Sequence, residues 1–373
     1  IGRPGAGVLP IRGHSNVQGI GSVGVAPALK QAVLERLESH FGFNVPTWQG
    51  HDTMACLDAA ECSELKLGFC VGGNLFGSNP DAARTTRALS KLDMVAYLST
   101  SLNSGHAWGL GRETIILPVL ARDEESQKTT QESMFNYVRL SDGGEARHVG
   151  LRSEVEIIST VASTVLGGHG PIDWRALREH GDIRRAIAKI VPGFEKLEQI
   201  DETRREFHID GRVLHSPRFS TPDGRARFQT HPIPVNSREN GTLRLMTVRS
   251  EGQFNTVVFE EEDIYRGQDR RDVILLNRAD IERLGLKPDQ LVTVRSVVGE
   301  ARDIVVREFD IRAGNAMMYY PEANILVPKT VDSRSKTPAF KSVEITLHPQ
   351  DGQTARQRVQ LSVSVTRRSM KAC

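Results

Sequence analysis

The sequence predicts a mixed α/β chain: a parallel sheet layered with helices, followed by a small closed β-barrel. Two observations carry this. Between Leu65 and Leu98 the chain reads strand, glycine turn, helix, strand, the βαβ unit of a parallel sheet. From Thr242 onward it changes to short β-branched runs with one brief helix, the pattern of a small barrel. The polar, turn-rich stretch from Asp201 to Asn240 separates the two regimes and reads as the domain junction.

Each element follows from local chemistry. Ala28 to His40 places Leu29, Ala32, Val33 and Leu37 on one helical face, with Lys30, Glu35 and Glu38 opposite. Leu65 to Val71 is continuously apolar enough for a buried strand, and Gly72-Gly73-Asn74 ends it. Asn79 and Pro80 suit the N-cap and first position of a helix reaching about Leu92. Met94 to Leu98 and the run Ile115-Ile116-Leu117-Pro118 read as further strands. A helix opens at Ser153, where Glu156 completes a capping box, and closes at Gly167-Gly168; Asp173 to Val191 adds one or two more. The barrel strands are Leu243 to Val248, Val273 to Leu276, Leu291 to Val294, Ile304 to Val306 and Val343 to Leu347, with a helix from Arg278 to Leu284 stopped by Gly285. His348 to Cys373 reads as a polar, loosely attached tail apart from Val359 to Val365.

Composition narrows the function. Of 373 residues, 25% are charged and 39% apolar, as in ordinary globular chains, so global disorder is excluded. A net charge of +2 gives no electrostatic case for nucleic acid or an anionic membrane. No apolar run reaches membrane-spanning length and no secretory leader is visible, so the sequence reads as cytoplasmic. It begins at Ile1 in Gly-rich, mid-domain style, which reads as a piece of something longer. Cys56, Cys62, Cys70 and Cys373 lack the C-x2-C pairs of zinc or iron–sulfur sites.

Several motifs are rich in directional polar groups. "PIRGHSNVQG", residues 10–19, concentrates Arg12, His14, Asn16 and Gln18 in a segment that would build almost no core. Gly72-Gly73-Asn74 after a parallel strand suits a phosphate as well as it suits a plain tight turn. Ser99, Ser101 and Asn103 follow the second strand at its carboxyl end, where open α/β sheets bind ligands or carry ordinary polar loops. Arg249, Ser250, Gln253, Asn255 and Thr256 form a donor-rich loop after a barrel strand, and Asn324 sits between a proline turn and an apolar run. The histidines at 106, 148, 169 and 180 are scattered singly, so no self-contained catalytic set emerges.

Taken in order, these segments resemble the molybdenum or tungsten bis(pyranopterin guanine dinucleotide) oxidoreductases, and among them the formate dehydrogenase-like alpha subunits. "PIRGHSNVQG", "LKLGFCVGGNLFGSNPD", "ETIILPVLARDE", "RSEGQFNT", "LNRADIERLGLKPDQLVTVRS" and "PEANILVPKTVDSRSKTPAFKSVEITL" carry the likeness, from Ile1 to about Leu347. The resemblance implies a partial Rossmann-like dinucleotide-binding domain over 1–205, a linker over 206–241, a double-psi β-barrel over 242–347 and a polar tail over 348–373. It implies that Arg12 holds a small anion such as formate, by the bidentate fork of its guanidinium. His14, standing where formate dehydrogenases carry Gln, would accept a proton. Asn16 and Gln18 would line the cofactor. Gly72, Gly73 and Asn74 would face one pyrophosphate of the bis-MGD cofactor, with Ser99, Ser101 and Asn103 at its guanosine. Arg249, Ser250, Gln253, Asn255 and Thr256 would contact the second dinucleotide or its pterin, and Asn324, Phe340 and Lys341 would complete the pterin pocket. The 4Fe-4S cysteines and any protein ligand to Mo or W belong to the family's N-terminal portion. The implied partner is therefore that portion or an iron–sulfur subunit. A second class stays open: a cofactor-binding or assembly module without turnover.

Overall fold

The computed structural model describes residues 14–210, 217–233 and 241–354, the last four by backbone alone. They form two compact units, each discontinuous in sequence: residues 1–53 with 118–233, and residues 54–117 with 234–373.

In chain order the strands are β1 (Leu67–Val71), β2 (Met94–Ser99) and β3 (Glu113–Pro118); then β4 (Thr129–Glu132), β5 (Tyr137–Ser141) and β6 (Phe207–His208); then β7 (Leu243–Val248), β8 (Val273–Leu276), β9 (Gln290–Arg295), β10 (Glu300–Glu308), β11 (Asn315–Tyr319) and β12 (Val343–Thr354). The first three make a sheet in the order β1-β2-β3, with β1 and β2 parallel, and the last six close a double-psi barrel in the order β10-β8-β11-β7-β12-β9. Two of its pairs, β10/β8 and β11/β7, are parallel, and the other four, β8/β11, β7/β12, β12/β9 and β9/β10, are antiparallel. Its interior is aliphatic: Leu245, Ile274, Leu276, Val292, Val294, Val306 and Ala316 are wholly inaccessible to solvent.

The first unit packs the helices Gln31–Phe41 and His180–Ile190 around Val33, Ala188, Ile190, Phe194 and Ile200, with the small sheet β4-β5-β6. Ser153 accepts from Glu156 N at 3.0 Å to start the helix Glu154–Leu166, and Gly167 ends it at φ 62°, the left-handed conformation that a Cβ disfavours. Phe207 and Ile209, inside the stretch read as linker, are core residues, because β6 pairs with β5.

Other expectations need correction. Asn79 does not cap the following helix; Asp81 does, accepting from Arg84 N at 3.0 Å, and the helix Ala82–Leu89 ends three residues before Leu92. Asn79 Nδ2 instead donates to Leu75 O at 2.6 Å, closing the preceding short helix Leu75–Ser78. β1 is not a fully buried strand: Leu67, Phe69 and Val71 stand exposed on one face, while Gly68 and Cys70 on the other are half-buried. The supposed tail continues as β12 to Thr354, since ladder pairing with β9 requires backbone groups and not apolar side chains. The strands β4, β5 and β11 carry too few β-branched residues in alternation to have been read as strands. The segment 10–19 is not wholly irregular, since a short helix, Val17–Ser22, begins within it.

Candidate functional site

In the second unit, the loops after β1 and β2 are tied to the barrel through asparagines. Gly72 and Gly73 both adopt left-handed φ (67° and 70°), which turns the chain sharply out of β1. Both are exposed, and a Cβ built on Gly73 would meet nothing within 4 Å, so this backbone is open to a bulky neighbour. Asn74 is buried behind it. Its Oδ1 accepts from Gly77 N at 2.7 Å as a helix cap, while Nδ2 donates to Ser104 Oγ at 3.0 Å and to Thr256 O at 2.9 Å. Asn103 Nδ2 donates to Gly73 O at 3.2 Å and Ser99 Oγ to Ser101 O at 2.8 Å, leaving the Ser101 side chain at the exposed rim.

The bond from Asn74 reaches the donor-rich loop after β7. Arg249 Nη2 donates to Asn255 Oδ1 at 3.1 Å, and its guanidinium lies over the Tyr320 ring, 5.5 Å from the centroid. Tyr320 meets Phe340 edge to face at 6.0 Å. Lys341 Nζ donates to Thr247 O; burial, with Arg249 and Arg266 adding like charge, holds that amine below the usual lysine range. Arg249, Arg266 and Lys341 thus form one positive locus beside two aromatic rings. Gln253 is turned inward: Nε2 donates to Asn255 O and Tyr320 O, both at 2.7 Å, and Oε1 accepts from Ser250 N at 3.0 Å. Asn324 is fully buried; Nδ2 donates to Gly77 O at 2.7 Å, while Oδ1 has no hydrogen-bond partner among the described residues.

Sequence reading missed the group that braces this loop. Arg271 is 3% exposed and its guanidinium is fully engaged: Nε and Nη2 pair with the Glu322 carboxylate at 2.6 and 3.0 Å, Nη1 donates to Ser250 Oγ at 2.7 Å, and Nη2 to Tyr320 O at 2.8 Å. It also lies over the rings of Phe259 and Tyr319. Burial alone would raise the Asp263 carboxyl, but bonds from Arg266 and Tyr319 hold it below the usual range. Burial pushes the Tyr319 hydroxyl upward in turn. Nothing in the local sequence distinguishes Arg271 from Arg270 beside it.

The remaining candidates lie in the first unit or beyond the description. Arg12 is outside the described residues. His14 is half-buried. Asn16 sits at φ 61° before its helix, and its Oδ1 accepts from Glu132 N at 3.0 Å, fixing the segment to β4. A Cβ at Gly19 would fall 2.1 Å from Asn16 Oδ1, so any larger residue there must displace that side chain from its bond to Glu132 N. Gln18, with Lys30, Leu29 and Pro192, lines an open cavity of about 460 Å³. Among the described residues, no group of three or more His, Cys, Asp or Glu could hold a metal ion, and no helix is long and apolar enough to cross a membrane.

Comparison with known proteins fits this geometry. The profile of the molydopterin dinucleotide binding domain matches residues 243–344, which is the barrel. A Mycobacterium tuberculosis protein named as an uncharacterized oxidoreductase is 34% identical over 374 residues, covering 94% of this chain and 47% of its own. Protein YdeP of Escherichia coli is 30% identical over 369 residues, covering 94% and 48%. Formate dehydrogenase H of Escherichia coli is 22% identical over 387 residues, covering 96% and 52%. Among solved structures, acetylene hydratase from Pelobacter acetylenicus superposes with a TM-score of 0.57 at 13% identity, over 85% of this chain and 49% of that one, a likeness of fold alone. The chain therefore spans about half the length of the curated relatives it matches. It belongs to the molybdopterin oxidoreductase family, and its barrel is a molydopterin dinucleotide binding domain.

Proposed function

We propose that this chain is the C-terminal portion of a formate dehydrogenase-like enzyme, working in the cytoplasm on a small anion such as formate. One observation carries the reading. Residues from 72–103 and from 249–341 fold into a single unit, joined directly by Asn74 Nδ2 to Thr256 O and by Asn324 Nδ2 to Gly77 O. That unit offers what a pterin dinucleotide needs: an open glycine turn, exposed donors at the ends of parallel strands, and a triple-cation locus beside two edge-to-face rings. The buried, unpartnered Asn324 Oδ1 is one acceptor still available to a donor group.

In this reading Gly72, Gly73, Ser101 and Asn103 hold one dinucleotide, and Arg249, Asn255, Phe340 and Lys341 hold the other or its pterin. The cofactor, with Mo or W, supplies two-electron redox chemistry. The protein binds and orients it, and Arg12 and His14 are assigned to the substrate anion and its proton. Ser250, Gln253 and Thr256 act behind the surface, by shaping the loop.

Metal and nucleotide content of the purified native protein tests this. Mo or W with about two guanine nucleotides per metal atom is the expected result; metal-free, nucleotide-free protein that refuses reconstitution overturns it. A second reading, a non-catalytic cofactor-binding or assembly module docking on a separate iron–sulfur-bearing chain, is favoured by the bare apolar strand β1.

A further inference from the structure

Within the loop joining β7 to β8, residues 263–268 close into a turn of their own. Asp263 and Gln268 bond backbone to backbone in both directions, at 2.8 and 3.1 Å, and Arg266 N donates to Asp263 O at 3.3 Å. Ile264 and Tyr265 at its tip are exposed, so no apolar contact of the tip holds the turn down. The buried Asp263 carboxylate holds it instead. Its Oδ1 accepts from Glu251 N at 3.1 Å and Tyr265 N at 3.2 Å. Its Oδ2 accepts from Tyr319 Oη at 2.8 Å and Arg266 Nη1 at 2.7 Å. Tyr319 is a buried residue of β11, so the turn is anchored to the barrel itself.

Arg266 is what that anchor fixes. Its Nη1 is occupied twice, by Asp263 Oδ2 and by Arg249 O at 2.9 Å, whereas Nε and Nη2 make no hydrogen bond among the described residues. The side chain is 23% exposed, and neither uncommitted nitrogen is sealed from solvent. Nε and Nη2 form the side-on edge of a guanidinium, the same edge with which Arg271 grips the Glu322 carboxylate. Arg266 also lies near enough to Lys341 to disfavour that amine's charge, and it holds the backbone of Arg249. Three cations thus meet where Glu322 is already spent on Arg271, a density of charge that suits a polyanion better than a single carboxylate. Burying a carboxylate is a costly way to close a surface turn unless the cation it fixes is put to use.

We infer that the Nε and Nη2 edge of Arg266 seats the oxyanions of a diphosphate, and that Asp263 is the positioning residue that holds this edge in place. The inference rests on the proposed function for the identity of the diphosphate, that of the second dinucleotide; the seat and its anchor stand on the hydrogen bonds.

Titrating inorganic pyrophosphate into the isotope-labelled full chain, with the amide shifts of residues 263–268 as readout, tests this. The expected result is saturable movement of those amides, with formate at equal concentration moving them far less. Arg266→Gln keeps a donor for Asp263 but loses the charge and the fork, and should weaken pyrophosphate about 10-fold or more. Arg266→Lys should recover only part of that loss. Asp263→Asn turns a donor toward Arg266 and should cost a similar factor. A purely structural Asp263 would add its effect to that of Arg266→Gln. A residue acting through Arg266 has little left to lose, so the double variant should bind like Arg266→Gln alone. Tyr319→Phe, which removes one donor to Asp263, takes the place of Asp263→Asn in that cycle should the latter not fold. Arg302→Ala, at an exposed arginine of β10, should bind like the parent. The inference is overturned by absence of pyrophosphate binding at these amides, by folded Arg266→Gln binding as tightly as the parent, by formate moving the amides as strongly, or by additive losses in the cycle. Metal and guanine-nucleotide content is read separately on the native protein. Nucleotide-loaded protein indifferent to Arg266→Gln loses this inference alone, and pyrophosphate seated at Arg266 in a chain that takes neither metal nor nucleotide loses the functional reading alone.

Discussion

The side-chain amide of Asn324 donates to the carbonyl oxygen of Gly77 at 2.7 Å, joining residues 247 positions apart. Both groups are buried, so the bond fastens the β1–β2 layer onto the barrel at a point from which water is excluded. Asn324→Ala leaves Gly77 O unsatisfied and should cost about 2 kcal/mol. Asn324→Asp should be at least as damaging, since it replaces the donor by an acceptor facing a carbonyl. Urea unfolding of both variants checks this; an unchanged midpoint would show that the bond fastens nothing.

Arg271 should matter more than its silence in the sequence suggests. Arg271→Met removes the hydrogen bonds to Glu322, Ser250 and Tyr320 at once and breaks an ion pair whose arginine is buried. Glu322 is partly exposed and keeps some hydration, so the loss belongs at the low end for broken buried pairs, about 3 kcal/mol. Arg271→Lys should rescue little, because an ammonium cannot reach Glu322, Ser250 and Tyr320 together. Protease sensitivity of residues 249–260 would report the freed loop.

Arg249 should behave in the opposite way. It is exposed, so Arg249→Ala should leave the melting temperature nearly unchanged. Affinity for the guanine dinucleotide should fall by roughly 10-fold or more, the worth of one charge-assisted contact to phosphate. Retention of full nucleotide occupancy in this variant would remove the cation locus from the binding site.

His106 gives the second unit a defined acid response. Its Nδ1 accepts from Asn103 N at 3.2 Å, and burial lowers its affinity for a second proton below the ordinary 6.5. Between 6.5 and that lower value, the unfolded chain binds more protons than the folded one, so stability rises with pH. The contribution is complete above pH 6.5 and is lost as pH falls through the folded value. His106→Leu should flatten the stability profile just below pH 6.5; an unaltered slope would assign the acid response elsewhere.

The cysteines should separate by reactivity. Burial pushes the Cys70 thiol up to about 11 from 9.0, lowering its thiolate fraction roughly 100-fold, whereas Cys56 and Cys62 are exposed. Peptide mapping after brief alkylation at pH 8 should find Cys56 and Cys62 modified well before Cys70.

How much was legible divides along physical lines. The α/β class, the strands β1, β2, β7 and β8, the Ser153 cap and the Gly167 stop are all legible in the amino acids, because period, capping and left-handed glycines are set by neighbours in the chain. It also brought the polar loops to notice, since Gly72-Gly73-Asn74 and Arg249 to Thr256 have no use in a core. Which of those groups face outward is set by the closed fold. Gln253 and Asn74 are spent on bonds to Tyr320 O and Thr256 O, partners whose nearness is a property of the closed fold. Arg271 could not be distinguished from Arg270 until the segments of Ser250, Phe259 and Tyr319 to Glu322 met around it, and β12 could not be read past Leu347 because a ladder is written in backbone, which every sequence shares. Side-chain pattern fixes what is local; long-range pairing fixes which of those groups remain free to bind.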